Sequence, residues 1–239
     1  MPQVAVPHSF FKKEKRDIYG RWEAALWREL VQNSCDAGAG TIDIRIHQLD
    51  DGNIEVVCAD DGKGMDRDTL ENVFFRLGES TKDDVIGSTG GFGRARILTC
   101  FAQESYRIRT RDIAVKGEGA DYEVEEGLEH RKGCAFRIEC DGKSLERTTE
   151  RELRDELREY LEDSQLPAKV LIDGERFQNW CYKGKAAREL RDENGDVFAT
   201  VHVNKSDSSR NNKMLVRVNG AKMFDRYIRS ALSQGVDVG

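Results

Sequence analysis

The chain has 239 residues, 38% of them hydrophobic, enough for one large domain or a domain with an appendage, and no apolar run approaches the roughly 20 residues of a membrane span. The opening MPQVAVPHSFFKKEKRD lacks the continuous apolar core of a secretory signal. A net charge of −6 argues against nucleic-acid binding by bulk electrostatics, although Lys12, Lys13, Lys15 and Arg16 cluster near the start.

Residues 17–36 predict the first long helix. They lack Pro, are rich in Ala, Leu, Glu and Arg, and end where Gly38 suits a C-terminal cap. Residues 41–47 alternate, with Ile42, Ile44 and Ile46 on one face, so they predict a half-buried strand. Asp51-Gly52 then turns the chain into a second strand over 54–59, and the pair reads as a hairpin. Beyond Asp60 come a turn, a short helix over 66–76, a long loop over 78–93 dense in Gly, Ser, Thr and Asp, and a helix over 94–102. Strands are expected at 105–110, 120–125 and 135–140. In the first of these Arg107 and Arg109, with Arg111 just beyond it, share a face that reads as a solvated strip. Residues 148–164 predict a strong helix, opened by a Thr-Thr-Glu-Arg-Glu stretch able to cap it. Strands at 169–172, 197–203 and 214–218 complete the series. No regular βαβ alternation occurs, so the order predicts an α+β fold, a layer of helices on one face of a mixed or antiparallel sheet. The six cysteines (Cys35, Cys58, Cys100, Cys134, Cys140, Cys181) show no C-x-x-C spacing, and read as reduced thiols of a cytoplasmic protein.

Three segments carry chemistry together. On the first helix, Glu29, Asn33 and Asp36 fall within an arc of roughly 60°. That arc lies beside the apolar Trp22, Leu26 and Leu30, so polar groups there need partners. After the second strand comes Asp60-Asp61-Gly62-Lys63-Gly64-Met65. Its alternate glycines allow a sharp turn and close approach to a flat ligand, and its carboxylate can accept from an exocyclic amine. At the end of the long loop, Gly87-Ser-Thr-Gly90-Gly91-Phe-Gly93-Arg94 opens a helix, and glycine amides at a helix N-terminus hold phosphates. No Walker P-loop, G-x-x-x-x-G-K-[ST], is present.

The order of helix with E-x-x-x-N-x-x-D-A, strand with D-x-G-x-G-M, then Gly-rich loop resembles the GHKL ATPase superfamily. That superfamily takes in the ATPase component of DNA gyrase, the ninety-kilodalton heat-shock chaperone, MutL, MORC proteins and histidine kinases. The resemblance implies a Bergerat-type two-layer α/β sandwich over residues 1–175, with 176–239 a partial transducer-like extension. It implies ATP and Mg2+ as ligands, slow hydrolysis and closure of an ATP lid. Glu29 then matches the general base, Asn33 the magnesium-coordinating amide and Asp36 a supporting acid. Asp60 matches the reader of the adenine amine, Gly62 and Gly64 the glycines under the base, and Met65 its apolar cover. Lys82 approaches the phosphates, which Gly90, Gly91 and Gly93 face.

The chain departs from the family in two places: a Gly-Thr pair common on a late strand is Gly133-Cys134 here, and the lid reads G-S-T-G-G-F-G-R-A. A carboxylate at Glu29 argues against a histidine kinase, and none of His8, His47, His130 and His202 lies on a dimerising helix. The alternatives are a nucleotide-gated clamp with negligible turnover and a DNA-directed ATPase of MutL or MORC type. The expected partners are a second copy of the chain when ATP is bound, and a client protein or DNA. Lys205, Lys213 and Lys222 are candidates for a phosphate-sensing lysine.

Overall fold

The helix predicted over 17–36 is α2, Trp22–Asp36, and a helix outside that prediction, α1, His8–Ile18, precedes it. The structure, a computed structural model, describes residues 6–18, 21–76, 96–144, 147–178, 188–204, 213–218 and 220–227. α1 looks polar in sequence, yet it buries Phe11 against Phe101, ring centroids 5.2 Å apart. It also buries Lys15, whose ammonium lies 4.0 Å from the centre of the Trp22 ring. The lysine stem thus fills a place usually given to an apolar side chain, and removal from water lowers its pKa. α2 buries Leu26, Trp27, Leu30 and Val31. The Trp27 indole satisfies its N–H on the Leu153 carbonyl at 2.8 Å. Gly38, at φ +73°, ends the helix as expected, its N–H donating to the Cys35 carbonyl at 2.9 Å.

β1 (Thr41–Gln48) and β2 (Ile54–Asp60) form the predicted antiparallel hairpin. In its register Ile46 pairs with Val56, Ile44 with Cys58 and Ile42 with Asp60. A strand's period of two therefore puts the Asp60 carboxylate at the end of a buried apolar row. The remaining strands of this sheet are β3 (Ser105–Arg111), β4 (Ile113–Glu118), β5 (Asp121–Glu125), β6 (Arg131–Cys140), β7 (Lys169–Ile172) and β8 (Glu175–Arg176). Their order is β5-β4-β3-β6-β2-β1-β7-β8, antiparallel except for the β1/β7 pair. The fold is α+β with helices packed on a mixed, mostly antiparallel sheet, as the element order predicts.

Besides the two-residue β8, the strand of this sheet that the sequence pattern does not announce is β4. Gly117 looks like a break, yet a Cβ there would lie 2.3 Å from the Tyr106 ring, so the glycine lets that ring cross the strand. The short helix predicted over 66–76 is α3 (Arg67–Thr69), capped by the Asp66 side chain, running into a π-helical turn at Leu70–Phe74. The helix predicted over 94–102 is described from residue 96 as a second π-helical turn, Ile97–Phe101. α4 (Glu150–Glu162) opens on a reciprocal cap. The Thr149 hydroxyl accepts from the Glu152 N–H at 3.1 Å, while the Glu152 carboxylate accepts from the Thr149 N–H at 2.9 Å.

The described residues fall into two compact units. The first holds those up to Glu159 together with Pro167–Gln178, and so the whole eight-stranded sheet. The second holds Tyr160–Leu166 and the described residues from Arg188 onward. It contains an antiparallel sheet of β9 (Arg188–Arg191), β10 (Val197–Asn204), β11 (Lys213–Val218) and β12 (Ala221–Tyr227), ordered β12-β11-β10-β9. β9 and β12 are additions to the predicted set. Within this unit Arg217 donates to His202 Nε2 at 3.0 Å and to the Asp163 carbonyl, and Lys222 pairs with the Asp163 carboxylate at 3.1 Å. Two cations thus meet the C-terminal turn of a helix, where its carbonyl dipoles favour them. Lys222 is accordingly held in an ion pair, while Lys205 and the side chain of Lys213 lie outside the described residues.

Candidate functional site

A buried polar constellation in the first unit surrounds Asp60, where β2 ends beneath α2. Its Oδ1 accepts from the Gly62 N–H at 2.8 Å and from the Cys134 N–H at 3.2 Å. Its Oδ2 lies 3.3 Å from the Ser34 hydroxyl of α2. Asp60 is only 8% exposed, and burial raises its pKa, opposed by the hydrogen bonds from Gly62, Cys134 and Ser34 and by the charge of Arg131. A carboxylate oxygen has two lone pairs, so Oδ2 keeps acceptor capacity for a further donor. Asp61, next in sequence, does something else. Its Oδ1 takes the N–H groups of Gly40 and Thr41, both at 2.8 Å, and these bonds hold its pKa below the usual carboxylate range. One aspartate fixes the start of β1, and the other is presented inside the fold.

The glycines of the loop after Asp60 owe their identity to the protein's own backbone. A Cβ on Gly62 would stand 2.8 Å from the Ala37 carbonyl, and one on Gly64, at φ +66°, would stand 2.9 Å from both the Gly133 carbonyl and Thr110 Oγ1. The loop is therefore wedged between the end of α2 on one side and β3 with β6 on the other. Gly133, at φ +75°, is tighter still, since a Cβ there would lie 2.0 Å from the Asp60 carbonyl oxygen. Met65 is half-buried and gives its N–H to Thr110 Oγ1 at 2.7 Å.

On α2 the predicted polar arc climbs from interior to solvent. Glu29 is buried, with Oε1 3.9 Å from the Arg28 guanidinium. Asn33, one turn on, is half-buried, and Asp36 is exposed and accepts from the Gln32 amide at 3.2 Å. Lys82, Gly90, Gly91 and Gly93 lie outside the described residues. Cys134 enters through its backbone N–H, so a thiol at that position leaves the contact with Asp60 intact. Burial pushes the Cys58 thiol up to about 12 and the Cys35 thiol to about 11, which keeps both protonated.

Two participants carry no signal in the sequence. Ser34 lies inside the E-L-V-Q-N-S-C-D-A stretch, but a small hydroxyl beside Asn33 gives no sign of its partner 26 positions away. Thr110 stands on the opposite face of β3 from the arginine strip and is fully buried. The strip itself is less solvated than expected. Arg109 donates to the carbonyls of Arg111, Ile113 and Glu129, and Arg111 to the Lys63 carbonyl and the Asp66 carboxylate.

Residues 21–114 match the family model described as histidine kinase-, DNA gyrase B- and HSP90-like ATPase. The chain is 32% identical over 108 residues to the DNA mismatch repair protein MutL of Halobacterium salinarum, a match covering 44% of this chain and 16% of that protein. It is 31% identical over 110 residues to the MutL of Anaeromyxobacter sp. (strain K), covering 44% and 18%. To the MutL of Clostridium acetobutylicum it is 35% identical over 108 residues, covering 40% and 17%. The matched part thus spans less than a fifth of each of these relatives. Among the described residues no helix is long and apolar enough to cross a membrane.

Proposed function

This chain belongs to the GHKL ATPase superfamily, and from that premise we propose that it binds ATP with magnesium and hydrolyses it slowly, changing shape as it does so. The observation that supports this most is the Asp60 carboxylate, buried, held on Oδ1 by two amides, and open to one more donor on Oδ2. An adenine exocyclic amine is such a donor, whereas the guanine ring carbonyl would set acceptor against acceptor. Gly62, Gly64 and Met65 form the adjoining wall. Glu29, buried on the helix above, takes the proton of a water as its oxygen attacks the γ-phosphorus and the bond to the β-phosphate oxygen breaks. Asn33 would offer one amide oxygen, a hard donor suited to a magnesium ion. That ion, when bound, neutralises phosphate charge. Asp36 supports the turn that carries Asn33.

In this proposal residues 1–175 form the ATP-binding domain and 176–239 a partial transducer-like extension. Lys82, Gly90, Gly91 and Gly93 meet the phosphates as a lid over residues 78–93. Two cytoplasmic copies associate weakly when ATP is bound. A second reading, a DNA-directed ATPase, is favoured by the relatives named DNA mismatch repair protein MutL. Calorimetry with ATP and GTP, with and without magnesium, together with phosphate release measured with and without duplex DNA, tests both. ATP-selective binding with slow magnesium-dependent turnover supports the first reading, and stimulation by DNA adds the second. Equal affinity for ATP and GTP, or no ATP binding, contradicts the proposal.

A further inference from the structure

We propose that Thr110, at the end of β3, is a positioning residue that sets the nucleotide affinity and base selectivity of the Asp60 loop, an inference that rests on the ATP-binding reading above. Thr110 is 0% exposed and stands directly across from Cys134 in the β3/β6 register. Its Oγ1 accepts the Met65 N–H at 2.7 Å, and its own proton faces the carbonyls of Met65 and Gly133, each 3.3 Å away. One hydroxyl therefore links the loop to β6, the strand whose Cys134 N–H holds Asp60. There is no slack in the arrangement, because a single added carbon at Gly64 would meet that same oxygen at 2.9 Å.

The next residue strengthens the brace. β3 slips out of register with β6 between Thr110 and Arg111, and Arg111 sits at φ +45°, a region non-glycine residues rarely adopt. From there its guanidinium reaches the Lys63 carbonyl at 3.4 Å and the Asp66 carboxylate at 3.2 Å. Asp60 pins the near end of the loop through Gly62, and Thr110 with Arg111 pins Lys63, Met65 and Asp66 from the other side. The distance between Asp60 and the Gly64-Met65 wall, which is the space a flat base must enter, is then fixed by the Thr110 hydroxyl.

Thr110→Val keeps shape and removes the hydroxyl, leaving the Met65 N–H without its acceptor. Without that bond the loop is no longer held in the base-binding position, and ATP affinity should fall about tenfold, the loss when about a tenth of the population keeps that position, with a narrower preference for ATP over GTP. Thr110→Ser restores the hydroxyl and should bind ATP within about threefold of the natural chain. Binding is measured by calorimetry well below the melting temperature of each nucleotide-free variant, and Thr110→Ala replaces the valine variant if the latter does not melt cooperatively. Lowered melting with unchanged ATP affinity and unchanged ATP/GTP preference overturns the positioning role and leaves Thr110 a stability residue. A natural chain that binds no ATP overturns the ATP-binding reading first, and this inference with it.

Discussion

Replacing Asp60 by Asn changes one atom's character and leaves its framework standing. The asparagine oxygen can keep the Gly62 and Cys134 N–H bonds made by Oδ1, and the Ser34 hydroxyl can turn to accept from the new amide nitrogen. What is lost is the second acceptor, which becomes a donor facing the adenine amine. A hydrogen bond to a charged group contributes about 1.5–3 kcal/mol, so ATP affinity should fall about 10- to 150-fold. Stability should move the other way or not at all. Burial raises the Asp60 pKa in the folded chain, so its stabilising contribution is fully present below the ordinary carboxylate pKa and is lost as pH rises through the raised value. Once ionised, Asp60 is a buried charge that the asparagine variant lacks. Calorimetric titration with ATP and GTP, and melting curves between about pH 4 and 7, would test both halves. The variant should melt no lower than the natural chain at neutral pH, and should lack the part of the acid-side gain that Asp60 supplies. Undiminished ATP affinity in a folded Asp60→Asn chain would refute the base-reading role. A large fall in melting temperature would show the carboxylate to be a structural clamp.

Gly133→Ala should destabilise the fold by more than about 3 kcal/mol, since strain at φ +75° adds to a Cβ placed 2.0 Å from the Asp60 carbonyl oxygen. Gly38→Ala, at φ +73° with nothing within 4 Å, isolates the strain alone and should cost about 1–2 kcal/mol by denaturant melts. Thr149→Ala removes one half of the reciprocal cap of α4 and should cost about 1 kcal/mol by the same assay. Equal losses for the two glycine variants would contradict the close approach of Gly133 to Asp60.

Much of the fold is legible in the sequence because its signals are local. The alternation of Ile42, Ile44 and Ile46 gives the strand, and the hairpin register then carries Asp60 to the buried face. The illegible features depend on distant partners. α1 hides its inward face because Lys15 is buried over Trp22, and a KKEKR run looks uniformly solvated. Gly117 disguises β4 because the sequence does not show that Tyr106 needs the space. Ser34 and Thr110 act on groups 26 and 45 positions away, so neither hydroxyl reveals its role until the strands are paired. The two glycines of the Asp60 loop read as places for a ligand, and the structure adds a second reason, contact with Ala37, Thr110 and Gly133.

Whether α2 carries the base of an ATP-hydrolysing site whose nucleotide is read elsewhere is decided at Glu29. Single-turnover hydrolysis of ATP with magnesium, measured beside equilibrium ATP binding, separates the two functions in one variant. Glu29→Ala should bind ATP nearly as the natural chain does and hydrolyse it about 10²- to 10⁴-fold more slowly, the usual range for a positioned general base. An unchanged hydrolysis rate, or an affinity that collapses together with the rate, would rule out Glu29 as the general base.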